Sequence, residues 1–327
     1  MPHDYLCFCS KDLNFFAKHA LSFNTDHSRL YMPLIKFKYF IVFLFLWGCI
    51  EDQPTNDWET FVTFKKGNFP LLIVAPHGGD LKPQWIQNRE CEGAVTVQDQ
   101  YTLGIAFQIE NELRKRGYNP YMLLANIHRI KIDLNRPLAT SFCIDNTPEG
   151  LWNLFHNQIE TYRSEVINQF GRGLLIDLHG HGHTNQRIEL GYLLSGEQLR
   201  NIKENEFRSS DGSSIQSMIA NHPDKLSLLE LLRGQHSLGT LLSMAGYPSV
   251  PSIDDPAPSK GDPFFSGGTI TQRYGSKNRA GVDAIQIELN RQNVRETSSD
   301  REQFSQEFAQ ILIDYMHLHY YDILEKR

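Results

Sequence analysis

The chain of 327 residues lacks a long hydrophobic run, an excess of positive charge and a dense cysteine framework. No stretch reaches the roughly 18 to 20 consecutive apolar residues that a transmembrane helix requires. The formal net charge of −6 argues against the basic surface of a nucleic-acid-binding protein, so no nucleic-acid partner is expected. The five cysteines show no metal-binding spacing, although Cys91 and Cys143 can form one disulfide in an oxidising compartment. What remains is a globular chain long enough to bury a large core.

A shorter hydrophobic run lies near the N-terminus. Lys36 and Lys38 precede the apolar residues 39–47, and Gly48 and Cys49 follow. This order resembles a bacterial lipoprotein signal, in which Cys49 is lipidated and becomes the first residue of an exported, membrane-anchored protein. The alternative is a buried hydrophobic segment of the fold. We therefore expect four parts: an upstream extension outside the fold (1–31), a signal peptide (32–49), a polar tether (50–60) and a single folded domain (61–327).

Predicted strands and helices alternate after the tether. The strands are expected at 70–76, 120–127, 173–179, 187–195 and 283–290. The helices are expected at 96–116, 147–171, 226–233, 236–245 and 300–323. Such alternation indicates a three-layer α/β fold with a mixed, mostly parallel sheet flanked by helices. Residues 246–263 are rich in Pro, Gly, Ser and Asp and predict a long loop, a feature that is often functional.

Histidines follow two of the predicted strands where each strand ends. His77 follows the first strand in "PHGGD", and His179 follows "LLIDL" directly. Ligands of open α/β sheets bind at the carboxyl ends of parallel strands. A Gly-Gly turn can bring Asp80 close to His77, and two histidines with one carboxylate are a common ligand set of catalytic zinc. Each residue alone is more simply interpreted as a hydrogen-bonded structural residue, but together they predict one zinc ion bound by His77, Asp80 and His179.

Two further side chains suit the chemistry of a hydrolase. In "AIQIELN", Ile285, Ile287 and Leu289 point to one face of the strand and Glu288 to the other. A carboxylate is rarely buried in so apolar a strand without a purpose. Beside a water activated by zinc, Glu288 is predicted to be the general base and acid. Arg136 in "IDLNRP" is a fork donor that can hold a carboxylate by two hydrogen bonds. The alternatives are a salt bridge for Glu288 and a surface ion pair for Arg136.

The stretch "LLIDLHGHGH" contains three more polar side chains near His179. His181 shares a face with His179 if the backbone stays extended, so it is predicted to line the substrate pocket or to orient the water. His183 lies beyond a second glycine and is interpreted as a polar loop residue. Asp177 precedes His179 by two positions and is predicted to orient its ring by a hydrogen bond.

The order His-x-x-Asp, Asn-Arg, strand-end His and strand Glu resembles the zinc carboxypeptidase superfamily, whose first motif is His-x-x-Glu. The segments "APHGGD", "IDLNRP", "LLIDLHGHGH", "PFFSGGTITQRYG" and "AIQIELNR" make the chain more similar still to the N-formylglutamate amidohydrolase family, over residues 75–291. The resemblance implies a zinc carboxypeptidase-like fold and the zinc site and base predicted above. It also implies that Arg136 holds a carboxylate of a small acidic amide or peptide substrate.

The same resemblance implies further contacts with the substrate. Asn135 stands in the Asn-Arg motif, and the segment "GGTITQRYG" is expected to line the substrate pocket through Gly267 and Gly268, with Arg273 as a second anion contact. The chain departs from the pattern in two places. Asp80 is one methylene shorter than the glutamate of the superfamily, which leaves open whether another carboxylate is the third ligand. "QNVRET" stands where the family usually has Leu-Tyr-Met, which leaves the substrate open.

Three functions are compatible with these residues. The first is a zinc-dependent hydrolase that cleaves an amide next to a carboxylate, in an N-formyl or N-acyl amino acid or a short peptide. The second is a non-catalytic surface lipoprotein that binds an anionic ligand or a metal, and the third is a cell-wall or poly-glutamate amidase, which would suit an exported location. Glu288 favours an enzyme, because a binding protein does not need a base beside the water.

Overall fold

The computed structural model describes residues 57–202 and 212–324, and the chain from Asp57 onward forms one compact unit. The predicted extension 1–31, the signal 32–49 with Cys49 and tether residues 50–56 lie outside the described residues. Trp58–Phe61, at the predicted boundary between tether and domain, form a 3-10 helix whose Phe61 is buried. Within the described ranges, no helix combines the length and the apolar composition needed to cross a membrane.

A seven-stranded sheet forms the middle layer of the fold. In chain order its strands are β1 (Val62–Lys65), β2 (Leu71–Ala75), β3 (Tyr121–Ala125), β4 (Gly173–Gly180), β5 (Ile188–Gly191), β6 (Ser249–Val250) and β7 (Val282–Leu289). In space the order is β1-β3-β2-β4-β7-β5-β6. Neighbouring strands pair in parallel, except that β1 is antiparallel to β3 and β5 is antiparallel to β7. The predicted mixed, mostly parallel sheet is confirmed.

Helices cover both faces of this sheet. They are α1 (Thr102–Lys115), α2 (Leu138–Ser141), α3 (Glu149–Phe170), α4 (Gly196–Asn201), α5 (Gln216–Asn221), α6 (Leu228–Arg233), α7 (Leu238–Met244), α8 (Thr269–Tyr274), α9 (Ser298–His319) and α10 (Tyr321–Leu324). The apolar sides of α1 and α9 pack on one face of the sheet, and those of α3 and α8 pack on the other. The fold is therefore the predicted three-layer α/β arrangement.

Near the carboxyl ends of the central strands, apolar side chains lie on the face covered by α1 and α9, and polar side chains lie on the opposite face. In β4, Ile176 is buried against the α1 and α9 side, whereas Asp177 and His179 alternate with the apolar residues. In β7, Ile287 and Glu288 repeat this division. Because successive side chains of a strand point to opposite faces, the packing of the apolar set fixes the direction of the polar set.

A predicted helix and a predicted loop differ from the structure. The helix expected from residue 96 begins only at Thr102, since the backbone N–H of Asp99 donates to the carbonyl of His77 (3.1 Å) instead of continuing a helix. The long loop expected at 246–263 contains the short strand β6, which extends the sheet beside β5. Segment 81–101, between β2 and α1, consequently runs over the carboxyl edge of the sheet as an irregular chain.

Candidate metal centre and active site

Three of the predicted residues converge at the carboxyl edge of the central strands. His77 lies two residues beyond β2, and His179 lies near the end of the adjacent strand β4. Glu288 of β7 stands directly beside His179 in the parallel register. All three side chains are buried. The sheet therefore brings together His77, His179 and Glu288 as the sequence predicts.

The carboxylate that joins the two histidines is Asp99, and the structure does not support Asp80 as the third ligand. Nδ1 of His179 lies 3.0 Å from Oδ2 of Asp99, and Nδ1 of His77 lies 3.4 Å from the same oxygen. One ligand atom from each of His77, Asp99 and His179 lies within 4.8 Å of the others, a spacing that could hold a metal ion. Asp80 is exposed and accepts a hydrogen bond from Nε2 of Gln98 (2.7 Å).

The path of the backbone explains why Asp80 turns away. A Cβ atom on Gly79 would lie only 2.2 Å from the backbone of Asn126, so the Gly-Gly turn packs directly on the segment that follows β3. The N–H of Leu81 then donates to the carbonyl of Asn126 (2.9 Å). The chain after His77 therefore runs alongside that segment, and the side chain between these two contacts faces solvent.

A second carboxylate is within hydrogen-bond distance of the other ring nitrogen of each histidine. Nε2 of His77 lies 2.7 Å from Oδ1 of Asp133, and Nε2 of His179 lies 2.9 Å from Oδ1 of Asp177. Hydrogen bonds of this kind fix the tautomer and orientation of metal-binding histidines and increase the basicity of the ligating nitrogen. In both rings the atom left facing Asp99 is Nδ1.

This donor set suits zinc. Two imidazole nitrogens and one carboxylate leave a fourth position open, as in catalytic zinc sites. Nδ1 of His77 is buried and has no hydrogen-bond partner among the described residues. Burial alone would lower the pKa of His179, but Asp177, Asp99 and Glu288 together raise that pKa well above its ordinary value. The local field therefore favours a positive charge between the two rings.

Asp133 remains ionised because it is strongly paired. Burial opposes its ionisation, but His77 and Arg129 hold the pKa of its carboxyl well below the usual range. Nε and Nη2 of Arg129 lie 2.9 and 2.8 Å from Oδ2, and the backbone N–H of Asn135 donates to Oδ1 (3.0 Å). These contacts connect the motif "IDLNRP" to His77, the histidine that follows β2.

Glu288 sits in an environment suited to proton transfer. Burial raises the pKa of its carboxyl well above the ordinary value, and Asp99 and Asp177 add to the effect while His179 opposes it. Nε2 of Gln286 donates to Oε1 of Glu288 (3.0 Å). A carboxyl group with a raised pKa can accept a proton and return it at neutral pH.

An inner chamber of about 290 Å³ opens beside these groups. We use this name for the cavity lined by His77, Asp99, His179 and Glu288 on one side and by Asn135, Arg136, Gly267 and Gly268 on the other. The Arg136 side chain is 47% exposed, and its nearest carboxylate oxygen, on Asp133, is 3.9 Å from Nε. The guanidinium is thus available to an anion that enters the chamber.

The glycine loop, our name for Gly267 and Gly268 before α8, is held tightly against this chamber. The N–H of Gly268 donates to Oε1 of Gln286 (2.6 Å), and the N–H of Ile270 donates to Oδ1 of Asn135 (2.8 Å). A Cβ atom on Gly268 would lie 2.4 Å from Nδ2 of Asn135. Gln286 consequently links the loop to Glu288, because its oxygen accepts from one and its nitrogen donates to the other.

Two residues predicted to contact the substrate do not line the inner chamber. Arg273 is exposed on α8, and its guanidinium lies over the ring of Trp152, 5.2 Å from the centroid. Arg273 lies on the exposed face of the helix and does not line the chamber. His181 is buried and uses both ring nitrogens in the protein: Nε2 lies 2.9 Å from the carbonyl of Arg187, and Nδ1 accepts from the N–H of His183 (3.1 Å).

His183 has a more definite role than that of a polar loop residue. Nδ1 of His183 lies 2.8 Å from Oε1 of the buried Glu189, whose Oε2 accepts from the N–H of Phe265 (2.8 Å). The ring of His183 also stacks on that of Phe265, with centroids 4.7 Å apart. His181, His183 and Glu189 form a second group with metal-ligand spacing. Its hydrogen bonds anchor the segment that leads into the glycine loop.

The sequence prediction missed four residues that complete the site: Asp99, Arg129, Asp133 in its role as partner of His77, and Gln286. The motif "IDLNRP" contains Asp133, so its position beside the Asn-Arg pair was an available signal. Asp99 lies in "VTVQDQ", where the sequence predicts the first turn of a helix from residue 96, and that prediction does not direct its side chain toward the histidines.

A disulfide ties down the segment that carries Asp99. Cys91 and Cys143 are bonded, with their Cα atoms 5.5 Å apart. Arg89 reinforces the same segment, since its Nη1 donates to the carbonyls of Val95 and Arg129 (3.0 and 3.2 Å). The irregular segment 81–101 is thereby fixed at several points beyond the single β-bridge of Leu81 with Ile127.

Comparison with known proteins places the fold. No known protein family matches the sequence, and neither does any curated protein. The crystal structure of N-formylglutamate amidohydrolase from Ralstonia eutropha JMP134 does match, with a TM-score of 0.52 and 14% sequence identity, over 82% of this chain and 99% of that one. A gene product of Agrobacterium tumefaciens matches with a TM-score of 0.46 and 12% identity, over 78% of this chain and 93% of that one. The similarity to N-formylglutamate amidohydrolase that the sequence motifs indicate is thus confirmed at the level of the fold.

Proposed function

We propose that this protein is a zinc-dependent amidohydrolase that cleaves an amide next to a carboxylate. One observation carries the proposal: Nδ1 of His77, Nδ1 of His179 and the carboxylate of Asp99 face one another at the chamber that also contains Glu288 and Arg136. Ligands, a buried carboxyl group and an anion-binding side chain are the parts that amide hydrolysis requires. The amidohydrolase fold supports the same assignment.

Zinc held by these three residues would supply Lewis-acid activation of the water and of the amide carbonyl. Glu288 takes a proton from the attacking water, which forms the new carbon–oxygen bond. Glu288 then delivers this proton to the amide nitrogen as the carbon–nitrogen bond breaks, so the products are a carboxylic acid and an amine. Gln286 holds Glu288 in place through the 3.0 Å hydrogen bond. Asp133 and Asp177 keep the two imidazoles oriented.

The inner chamber holds the carboxylate of the substrate. Arg136 binds it with its fork of N–H donors, because its guanidinium is not occupied by a close ion pair. Oδ1 of Asn135 accepts from the N–H of Ile270, and its Nδ2 lies 3.1 Å from Nε2 of His179. Asn135 therefore fixes the chamber wall. Arg129 is committed to Asp133 and maintains charge balance there.

We further propose that the protein is exported and anchored to a membrane by a lipid on Cys49. The signal-like order of residues 32–49 motivates this proposal. The Cys91–Cys143 disulfide supports it, because disulfides persist mainly in oxidising compartments.

Asp99 and Asp80 form a matched pair for testing the metal site. Asp99→Ala should weaken zinc affinity by at least ~100-fold, more than the loss of a partner outside the ligand set usually costs. Asp80→Ala should retain about one zinc per chain, because its side chain faces solvent. Elemental analysis and competition with a chelator measure both. Stoichiometric zinc in a folded Asp99→Ala protein would rule out this ligand set.

Glu288→Gln tests the proton-transfer role. Glutamine retains the size and one acceptor of the side chain but cannot carry the proton, so kcat should fall by ~10² to 10⁴ while zinc remains bound. Steady-state kinetics and metal content are measured on the same preparation. Near-normal turnover would favour a non-catalytic binding protein.

Arg136 and Arg273 allow a matched test of carboxylate binding. Arg136→Ala should raise KM for acidic substrates by ~10- to 100-fold, the value of a hydrogen bond between charged groups. A substrate whose carboxylate is replaced by an amide should be affected much less. Arg273→Ala should leave KM unaltered, since that side chain lies on Trp152 outside the chamber. Equal effects of the two changes would contradict the assignment.

Cys49→Ser tests the anchor. Without the thiol no lipid can be attached, so the protein should leave the membrane fraction of the producing cells. Cell fractionation compares the two proteins. Intact-mass measurement of the protein that retains Cys49 should show the added lipid. A membrane fraction that is unchanged by the substitution would refute the lipid anchor.

A further inference from the structure

We propose that the substrate is a peptide chain with apolar residues on the acyl side of the cleaved bond, and not a single formylated amino acid. The inference rests on the proposed hydrolase function and identifies its substrate class. The carboxylate-bearing terminal unit occupies the inner chamber, and the rest of the chain continues into a second, larger cavity.

The outer cavity is the name we give to this second space, which has a volume of about 570 Å³. Val97, Tyr101, Gly182 and Arg291 are among the residues that line this cavity but not the inner chamber. It shares five lining residues with the inner chamber: Val95, Asp99, Arg129, Gly180 and Phe265. The proposed ligand Asp99 therefore stands where the two cavities meet.

The junction determines which part of an amide substrate enters each cavity. A carbonyl group positioned at Asp99 has one side toward the inner chamber, where Arg136 is available to a carboxylate. Its other side faces the outer cavity. Pockets of roughly 300 to 1,000 Å³ hold drug-sized ligands, so the inner chamber accommodates one amino-acid unit and the outer cavity accommodates several more groups. A formyl group would leave the outer cavity empty.

The exposed apolar side chains of the outer cavity indicate apolar substrate groups, because two of its arginines are engaged within the protein: Arg129 pairs with Asp133, and Arg295 donates to backbone carbonyls. Nine large hydrophobic side chains are exposed in the described residues, and four of them line this cavity: Val95, Val97, Tyr101 and Phe265. Their exposed fractions are 45%, 75%, 48% and 43%. Exposed apolar side chains that gather at one place mark a binding site, whereas scattered ones do not. Covering them with apolar side chains of a peptide removes this surface from water.

The chemistry is ordinary hydrolysis and needs no further reactant. Water adds its oxygen to the carbonyl carbon, the carbon–nitrogen bond breaks and the nitrogen takes the proton. The products are a peptide shortened by one unit, with a new carboxylate, and a free acidic amino acid.

A series of substrates that all end in glutamate tests the proposal on the zinc-loaded protein. Formyl-glutamate, acetyl-leucyl-glutamate and acetyl-alanyl-leucyl-leucyl-glutamate are compared with an acetylated aspartate-rich peptide of the same length, by release of glutamate. We expect kcat/KM to rise by ~10- to 100-fold from formyl-glutamate to the apolar peptides, as one or two side chains become buried.

The outcomes separate this inference from the function on which it rests. If formyl-glutamate is cleaved as well as the apolar peptides, the substrate class is wrong but the hydrolase proposal stands. If the aspartate-rich peptide is the best substrate, the apolar assignment is wrong. If no member of the series releases glutamate, the hydrolase proposal fails and this inference fails with it.

Gly182 provides a direct test of the outer cavity. A Cβ atom there would meet no atom within 4 Å, and the residue is outside the left-handed region, so Gly182→Phe can place a ring in open space. The ratio of kcat/KM for the long apolar peptide to that for formyl-glutamate should fall at least ~10-fold. Ile144→Phe is the control, because Ile144 is 95% exposed and lines neither cavity. An unchanged ratio in a folded, zinc-loaded Gly182→Phe protein would overturn the assignment.

Discussion

Negative charge collected at the carboxyl edge of the sheet is the constraint on which the site depends. Asp99, Asp133, Asp177 and Glu288 are all buried within reach of two imidazole rings. Buried carboxylates are tolerated only when cations or strong hydrogen-bond donors compensate them. Arg129 compensates Asp133, and the field of the others favours a positive charge between the rings. A divalent cation satisfies that requirement at the point where three donor atoms already face one another.

Both the sheet and an irregular segment contribute residues to this edge. β2, β4 and β7 are fixed by apolar packing against both helical layers, and they carry the two histidines and Glu288 at adjacent positions. Segment 81–101 supplies Asp99 without regular structure, and its position depends on local hydrogen bonds and on the Cys91–Cys143 disulfide. Paired strands therefore set the distance between His179 and Glu288, while a tethered segment places Asp99 between the two histidines.

Hydrogen bonds also connect both cavities to the candidate site. The loop at Gly267 and Gly268 is connected to Glu288 through Gln286 and to Asn135 through the N–H of Ile270, so hydrogen bonds join the wall of the inner chamber to the proposed base. On the other side, Phe265 belongs to both cavities and is held by Glu189 and His183. Under the proposed function, contacts made far along a substrate chain would help to position its amide at the candidate metal site.

The sequence by itself determined the three-layer α/β class and most strand positions, and it singled out His77, His179, Glu288 and Arg136, which line one chamber. These features depend on local patterns: strand periodicity fixes which side chains leave the core, and a strand end fixes where a histidine emerges. Only the tertiary structure decided that Asp99, and not Asp80, stands between the histidines. The choice depends on how the chain after β2 packs against Asn126 and on how an irregular segment folds back over the edge of the sheet, and neither contact has a periodic signature in the sequence.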